Sequence, residues 1–312
     1  MLRNADAPLT RSAAIASVAG TAAALAMGVS ARAAAGRALA LTGGGATGTA
    51  WVTGVLLGLL RAGADPNAAD LVIGTSAGSI VGAQLRSGVP LSDLYTSQLN
   101  ADASVLASWA KNYVDPATMA AIAALRPKDH VPTKSERAAV GALALGAKLP
   151  SEAEWLPNFY RASGIGSLDR WPAKPIDIVA VDAVDGSVAI FDGAKKAPLQ
   201  LAIAASAAVP GFTPPITIGG RRYTDGGVAG TNLNVAAGFA TVLAVIPIAY
   251  GFTDNEVAAL RAQGARVIEI APDDGAKAAI GPNVMDASRK SVAAEAGLRQ
   301  GTAAAASLRG IW

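Results

Sequence analysis

Leu71-Val72-Ile73-Gly74-Thr75-Ser76-Ala77-Gly78-Ser79-Ile80-Val81-Gly82-Ala83-Gln84-Leu85-Arg86 decides how this chain is read. The short apolar run Leu71 to Gly74 has the composition of a strand. Gly74-Thr75-Ser76-Ala77-Gly78 then matches Gly-x-Ser-x-Gly, and the residues through Arg86 carry apolar side chains at helical spacing. A serine at a sharp strand-to-helix turn adopts a strained backbone, and glycines on either side keep neighbouring backbone clear of it. Its hydroxyl stands free at the end of the sheet, facing the dipole and unpaired amides of the following helix. The pattern predicts Ser76 as a nucleophile, with Gly74 and Gly78 supporting its turn. In a glycine-rich chain the same five residues also form plain structural turns, and only the strand-turn-helix context favours chemistry.

The segment before it has the same construction. Arg37 to Thr42 reads as a strand, Gly43-Gly44-Gly45-Ala46-Thr47-Gly48 as a glycine-rich turn, and Thr49 to Arg61 as a helix with Trp51, Val52, Val55, Leu56 and Leu59 at helical spacing. Acyl transfer needs amide donors where a carbonyl oxygen becomes an oxyanion, and consecutive glycines let N–H groups approach that point. Phosphate binding is a rival use. The Walker pattern fails, because Gly48 is followed by Thr49-Ala50 and not by Lys-Ser/Thr. Gly43, Gly45 and Gly48 do satisfy Gly-x-Gly-x-x-Gly, but Thr75-Ser76 stands at the end of the second strand where a dinucleotide site needs an acidic residue. Oxyanion loop, dinucleotide turn and structural turn all remain readings of these glycines.

Downstream, Leu91 to Gly166 changes character. Pro116, Pro127, Pro132, Pro150 and Pro157 interrupt alanine-rich helical stretches, no strand is evident, and the segment reads as a helical insertion able to act as a cap or lid. Its aromatics Trp109, Tyr113, Trp155, Phe159 and Tyr160 face an acyl chain on that reading, or pack as ordinary core. Strand signals return at Ile176 to Val181 and Ser187 to Phe191, with a turn at Asp185-Gly186. A helix over Leu199 to Ala207 stops at Pro210. Ile216 to Ile218 and Arg221 to Thr224 form a short hairpin delivering Asp225-Gly226-Gly227. The chain closes with strand Val242 to Ile246, helix Asn255 to Gln263, strand Arg266 to Ile270 and a long helix from about Asn283. This alternation predicts an α/β domain around a mainly parallel sheet, a single domain over 37–310 with the insertion 91–166 inside it.

Histidine is scarce: His130 is the only one. A Ser-acid-His triad would have to draw it from the insertion, between Pro127 and Pro132, paired with Asp93, Asp102, Asp115 or Asp129. A solvated loop residue is the plainer reading. A carboxylate can then serve as base if tight glycines position it and partial desolvation raises its basicity. Asp225-Gly226-Gly227 meets those conditions, although on its own Asp-Gly-Gly is commonly just a turn. An ordinary carboxylate base keeps kcat/KM through mildly acidic pH, where an unperturbed histidine near 6.5 loses it.

Composition narrows the classes. With 52% hydrophobic and 16% charged residues the chain is globular, neither disordered nor polytopic. The net charge of +3 is scattered, with basic runs no longer than Lys195-Lys196 and Arg221-Arg222, so no nucleic-acid footprint is present. That charge suits either peripheral contact with an anionic membrane surface or ordinary solvation. The absence of cysteine removes disulfides, thiolate metal sites and thiol nucleophiles. Arg3 and Arg11, the uncharged stretch Ser12 to Ala31 and the small-x-small triplet Ala31-Arg32-Ala33 give residues 1–33 the pattern of a signal segment, predicting a secreted or periplasmic protein. An N-terminal helix packed on a cytoplasmic domain is the alternative.

The glycine loop, Gly-x-Ser-x-Gly and distant Asp-Gly-Gly, in that order and in those strand contexts, together resemble the patatin-like phospholipase family. Ala204-Ala205-Ser206-Ala207-Ala208-Val209-Pro210 is similar to the segment that precedes the family's aspartate. The resemblance implies a three-layer α/β/α fold, Ser76 as nucleophile and Asp225 as base. It also implies amides of Gly43, Gly44, Gly45 and Ala77 as oxyanion donors, with Gly48, Gly74, Gly78, Gly226 and Gly227 shaping the motifs. The implied reaction is metal- and cofactor-free hydrolysis of a lipid or other carboxylic ester through an acyl-enzyme. This chain departs from the family in one respect, carrying Thr47 where a basic residue usually precedes the last loop glycine, which puts a headgroup contact in question. A non-catalytic lipid-binding protein on the same fold is the alternative.

Overall fold

The computed structural model describes residues 36–194 and 197–312; the signal-like segment expected over 1–33 lies outside them. Its centre is an eight-stranded sheet. In chain order the strands are β1 (Arg37–Leu41), β2 (Leu71–Thr75), β3 (Ile176–Asp182), β4 (Val188–Phe191), β5 (Ile216–Ile218), β6 (Arg221–Asp225), β7 (Thr241–Val245) and β8 (Arg266–Ile270). They are ordered β5-β6-β3-β2-β1-β7-β8, with β4 paired to β3 off this path. Pairings β3-β2, β2-β1, β1-β7 and β7-β8 are parallel, while β4, β5 and β6 pair antiparallel. The parallel strands are nearly continuous apolar runs because both faces are covered.

Alternation along each strand divides the core. Leu39 and Leu41 of β1 point into the larger core, Ala38 and Ala40 into the smaller one. The larger is closed by α1 (Gly45–Arg61), α2 (Ala77–Arg86), α8 (Leu199–Ser206) and α11 (Lys290–Ala304), the smaller by α9 (Thr253–Ala262) and the turn Leu233–Ala236. The result is the expected α/β/α layering. Between α2 and β3 lie five further helices, α3 (Leu91–Leu99), α4 (Ser104–Tyr113), α5 (Pro116–Ala124), α6 (Lys134–Gly146) and α7 (Glu152–Ser163).

Helix α1 is buried without interruption from Ala46 to Leu59 because α11 covers the side facing away from the sheet. Glycines make that approach possible. A Cβ on Gly54 would stand 2.1 Å from the Ala294 carbonyl oxygen, and one on Gly297 2.1 Å from that of Trp51.

Two local expectations differ from the structure, and one helix has no expectation behind it. Helix α1 begins at Gly45 and not at Thr49, because Gly48 N–H bonds the Gly44 carbonyl at 2.9 Å and Thr49 Oγ1 bonds that of Gly45 at 2.8 Å. The C-terminal helix begins at Lys290 and not near Asn283, since the Asn283 and Asp286 side chains take the N–H groups of Met285 and Ser288 into local turns. Helix α10 (Asp274–Ile280) has a weak sequence signal and is started by Asp273 accepting Ala276 N–H at 2.8 Å.

The register of β3 sets up the site. Val179 pairs with both Thr75 and Ile190, so β2 and β4 occupy opposite edges of β3. Val181 pairs with both Val188 and Thr224, so β6 runs along the same edge as β2. Strand β2 ends opposite Val179 and antiparallel β6 ends opposite Ala180. The two strands therefore meet end to end, and the residues that leave them are Ser76 and Asp225-Gly226.

Candidate active site

Ser76 has φ 52° and ψ −118°, a conformation that serine adopts only under constraint. The constraint is visible. Its N–H donates to Ser206 Oγ at 2.9 Å, and Ser206 Oγ donates in turn to the Val179 carbonyl at 2.6 Å. Its carbonyl accepts the Ser79 N–H at 2.9 Å and the Ser79 hydroxyl at 2.7 Å, beginning α2. The flanking glycines are required sterically: a Cβ on Gly78 would lie 2.0 Å from the Leu41 carbonyl oxygen, and one on Gly74 2.6 Å from Ser79 Cα.

Asp225 is 6% exposed. Its Oδ1 accepts the Gly227 N–H at 2.6 Å, whereas buried Oδ2 has no hydrogen-bond partner among the described residues. Burial raises its pKa to about 6, against the opposing effects of the Ser76 hydroxyl, the Gly227 N–H and the charge of Arg126. The Ser76 hydroxyl is thus a polar neighbour of the Asp225 carboxyl and favours its ionised form. Such contacts commonly tighten only when substrate is bound. Mildly acidic operation, expected of an ordinary carboxylate, does not follow here: desolvation moves this carboxyl close to the range of histidine.

Three further residues hold the pair, and single-sequence reasoning missed their roles. Ser206, in the Ala204–Pro210 segment, clamps the Ser76 backbone. Asn232, itself at φ 60°, donates through Nδ2 to Thr75 Oγ1 at 3.2 Å and to the Gly226 carbonyl at 3.0 Å, tying the aspartate loop to the nucleophile strand. Arg126, from the insertion, donates to the Gly227 carbonyl at 3.1 Å and lies 5.4 Å over the Tyr250 ring. Gly226 is a contact glycine, as a Cβ there would stand 2.3 Å from the Val179 carbonyl oxygen. The links from Ser206 to Ser76, Asn232 to Thr75 and Arg126 to Gly227 each span a hundred residues or more, so no local pattern announced them.

The glycine loop arrives on the other side of Ser76. A Cβ on Gly43 would be 3.5 Å from Ser76 Cβ, and Gly45 has φ +62° against Val284. Among the described residues, the N–H groups of Gly43, Gly44, Gly45 and Ala77 have no hydrogen-bond acceptor. Gly44 fits only as glycine beneath Pro247, 2.7 Å from a Cβ placed there, and Gly48 packs on the same proline. Thr47 is fully buried, with N–H and hydroxyl both bonded to the Val284 carbonyl at 3.0 and 3.3 Å. It offers nothing to a ligand.

A cavity opens on Ser76 and Ala77, walled by Trp155 and Phe159 of α7, Phe212, Met285 and Lys290. Trp155 also packs 4.2 Å from the ring of Trp109, whose indole N–H donates to the Phe212 carbonyl at 2.7 Å. Trp155 and Phe159 are therefore both core and cavity wall, Trp109 is core, Tyr160 is half-buried against it, and Tyr113 is exposed. His130 is elsewhere: exposed, bonded to Asp129 at 2.8 Å and Glu136 at 3.1 Å, and not on the cavity lining. Among the described residues no group of three or more His, Cys, Asp or Glu could hold a metal ion. The arrangement joins a strained serine, a desolvated carboxyl, unpaired amides and an apolar wall, the parts that acyl transfer needs.

No curated protein sequence matches the chain. Among solved structures, VipD from Legionella pneumophila is similar at 13% identity and TM-score 0.42 over 87% of this chain and 67% of that one. The type III effector protein ExoU is similar at 13% identity and TM-score 0.36 over 87% of this chain and 53% of that one. ExoU in complex with SpcU, from Pseudomonas aeruginosa, gives 16% identity, TM-score 0.32 and coverage of 86% and 52%. The chain thus spans about half the length of ExoU. The sequence pattern of the patatin-like phospholipase family matches residues 39–237. That match takes in the glycine loop, Ser76, the insertion and Asp225, and by it the chain belongs to the patatin-like phospholipase family.

Proposed function

We propose that this protein is a lipid acyl hydrolase in which Ser76 and Asp225 act as a two-residue catalytic pair. Ser76 Oγ attacks the ester carbonyl while its proton passes to Asp225 Oδ2. The carbonyl oxygen becomes an oxyanion held by amides of the glycine loop and Ala77. Collapse expels the alcohol, which takes the proton from Asp225 and leaves an acyl-Ser76 ester. Water then attacks this ester, giving its proton to Asp225; the second collapse returns that proton to Ser76 and releases the fatty acid. Side chains and backbone amides supply every step.

The observation that supports this reading best is the buried Asp225 Oδ2, which has no hydrogen-bond partner among the described residues, on a carboxyl that the Ser76 hydroxyl neighbours. Leaving a buried carboxylate oxygen unpaired costs stability, and a proton-accepting role accounts for it. A fluorophosphonate probe tests the nucleophile. Labelling is expected in the wild type and absent in Ser76→Ala; a folded wild-type protein that takes no label would point to a non-catalytic lipid binder.

A further inference from the structure

Lys290, the first residue of α11, stands where a helix gains nothing from a cation. A positive charge in the first turn opposes the helix dipole, and this first turn has no acidic residue to offset it. Its ammonium makes no hydrogen bond or ion pair among the described residues. Burial lowers its pKa to about 8, and no neighbouring charge contributes to that shift. Lysine in such surroundings is ordinarily paired or turned to solvent.

Its position suggests what would complete it. Lys290 lines the Ser76 cavity and also a side pocket containing Ser97, Gln98, Asp102 and Arg161. Leu106, Phe212 and Met285 line both that cavity and a neighbouring apolar pocket walled by Ala107, Ala110, Val114 and Met119. An ester held at Ser76 would thus have a polar arm passing Lys290 and an apolar arm between α4 and α5. Thr47, locked on the Val284 carbonyl, supplies no cation from the glycine loop. The segment that occupies Thr47 continues directly to Lys290.

The geometry points to Lys290 as the residue that receives the phosphate of an anionic glycerophospholipid, setting substrate preference where it lines both the side pocket and the Ser76 cavity. This inference rests on the acyl hydrolase reading above. The ammonium would make a charge-assisted hydrogen bond to a phosphate oxygen while the acyl arm fills the apolar pocket. Lys290 holds the substrate and takes no part in bond making.

The test compares kcat/KM for a short-chain phosphatidate with that for the matching neutral diacylglycerol, in wild type, Lys290→Met and Lys290→Arg. The wild type should prefer the phosphatidate, Lys290→Met should lose at least about tenfold of that preference, mainly through KM, and Lys290→Arg should keep most of it. An unchanged ratio in Lys290→Met overturns the inference. Calorimetric binding of phosphatidate to Ser76→Ala, with and without Lys290→Met, separates it from the hydrolase reading. Binding that depends on Lys290 without wild-type turnover would sink the hydrolase reading alone. Turnover with binding indifferent to Lys290 would sink the inference alone. Inorganic phosphate competing as well as the lipid would assign the position to a free anion and also overturn it.

Discussion

The backbone of Ser76, at φ 52°, is held by Ser206 on one side and the start of α2 on the other, so its hydroxyl has few directions open to it. Asp225 is equally constrained, and its environment decides when it can accept a proton. Its folded pKa, raised to about 6, lies above the ordinary value, so the carboxyl is ionised and able to act only as pH rises past that point. The linkage has the corresponding sign: the cost of burying the charge is present above about pH 6 and is relieved as pH falls and the group protonates. Arg126 favours the ionised form. Arg126→Gln should therefore move the acid limb of kcat/KM to higher pH while Ser76 remains reactive to a fluorophosphonate. A limb that stays in place would show that Arg126 does not act on Asp225. This position of the limb is also why a pH profile alone does not separate the carboxylate from a histidine in this protein.

Among elements, the contact of α1 with α11 gives the clearest conflict between local propensity and packing. Glycine inside a helix is less favourable than alanine by about 1 kcal/mol, so Gly54→Ala viewed in isolation should stabilise. A Cβ at that position would stand 2.1 Å from the Ala294 carbonyl oxygen and 2.7 Å from the Leu298 nitrogen, both backbone atoms that cannot swing aside. Overpacking of this kind costs about 1–3 kcal/mol, and the close approach wins. Thermal denaturation of Gly54→Ala should show a lower Tm; a higher one would mean that the helices separate without penalty. The same contrast explains what was legible in the sequence. Strands β1, β2, β3 and β7 announced themselves as apolar runs, and α1 and α2 by their periodicity. The start of α11 was misplaced because Asn283 and Asp286 divert backbone N–H groups into turns, and the glycines of α1 and α11 reveal their purpose only once the two helices are side by side.

Over the whole molecule, the sheet does what no motif could state. Strands β2 and β6 share one edge of β3 and end on adjacent rungs, which brings Asp225 to Ser76 across a long stretch of sequence. Gly-x-Ser-x-Gly, the glycine loop and Asp-Gly-Gly were each readable as patterns. Ser206, Asn232 and Arg126 were not, since each acts on a group distant in the chain. The insertion contributes Arg126 to the aspartate loop and Trp155 and Phe159 to the cavity, yet it leaves His130 exposed between Asp129 and Glu136. On the proposed mechanism Asp225, and not this histidine, is the base. Ester hydrolysis by Asp225→Asn and His130→Ala, each checked for folding by thermal denaturation, tests it most directly. Asp225→Asn should fold and melt no lower than wild type at pH 8, because the buried charge is gone, while losing at least about 1000-fold in kcat/KM. His130→Ala should stay within about threefold of wild type, as expected for a residue outside the proton-transfer path. A folded but inactive His130→Ala beside an active Asp225→Asn would make the histidine the base and rule out the Ser76–Asp225 pair.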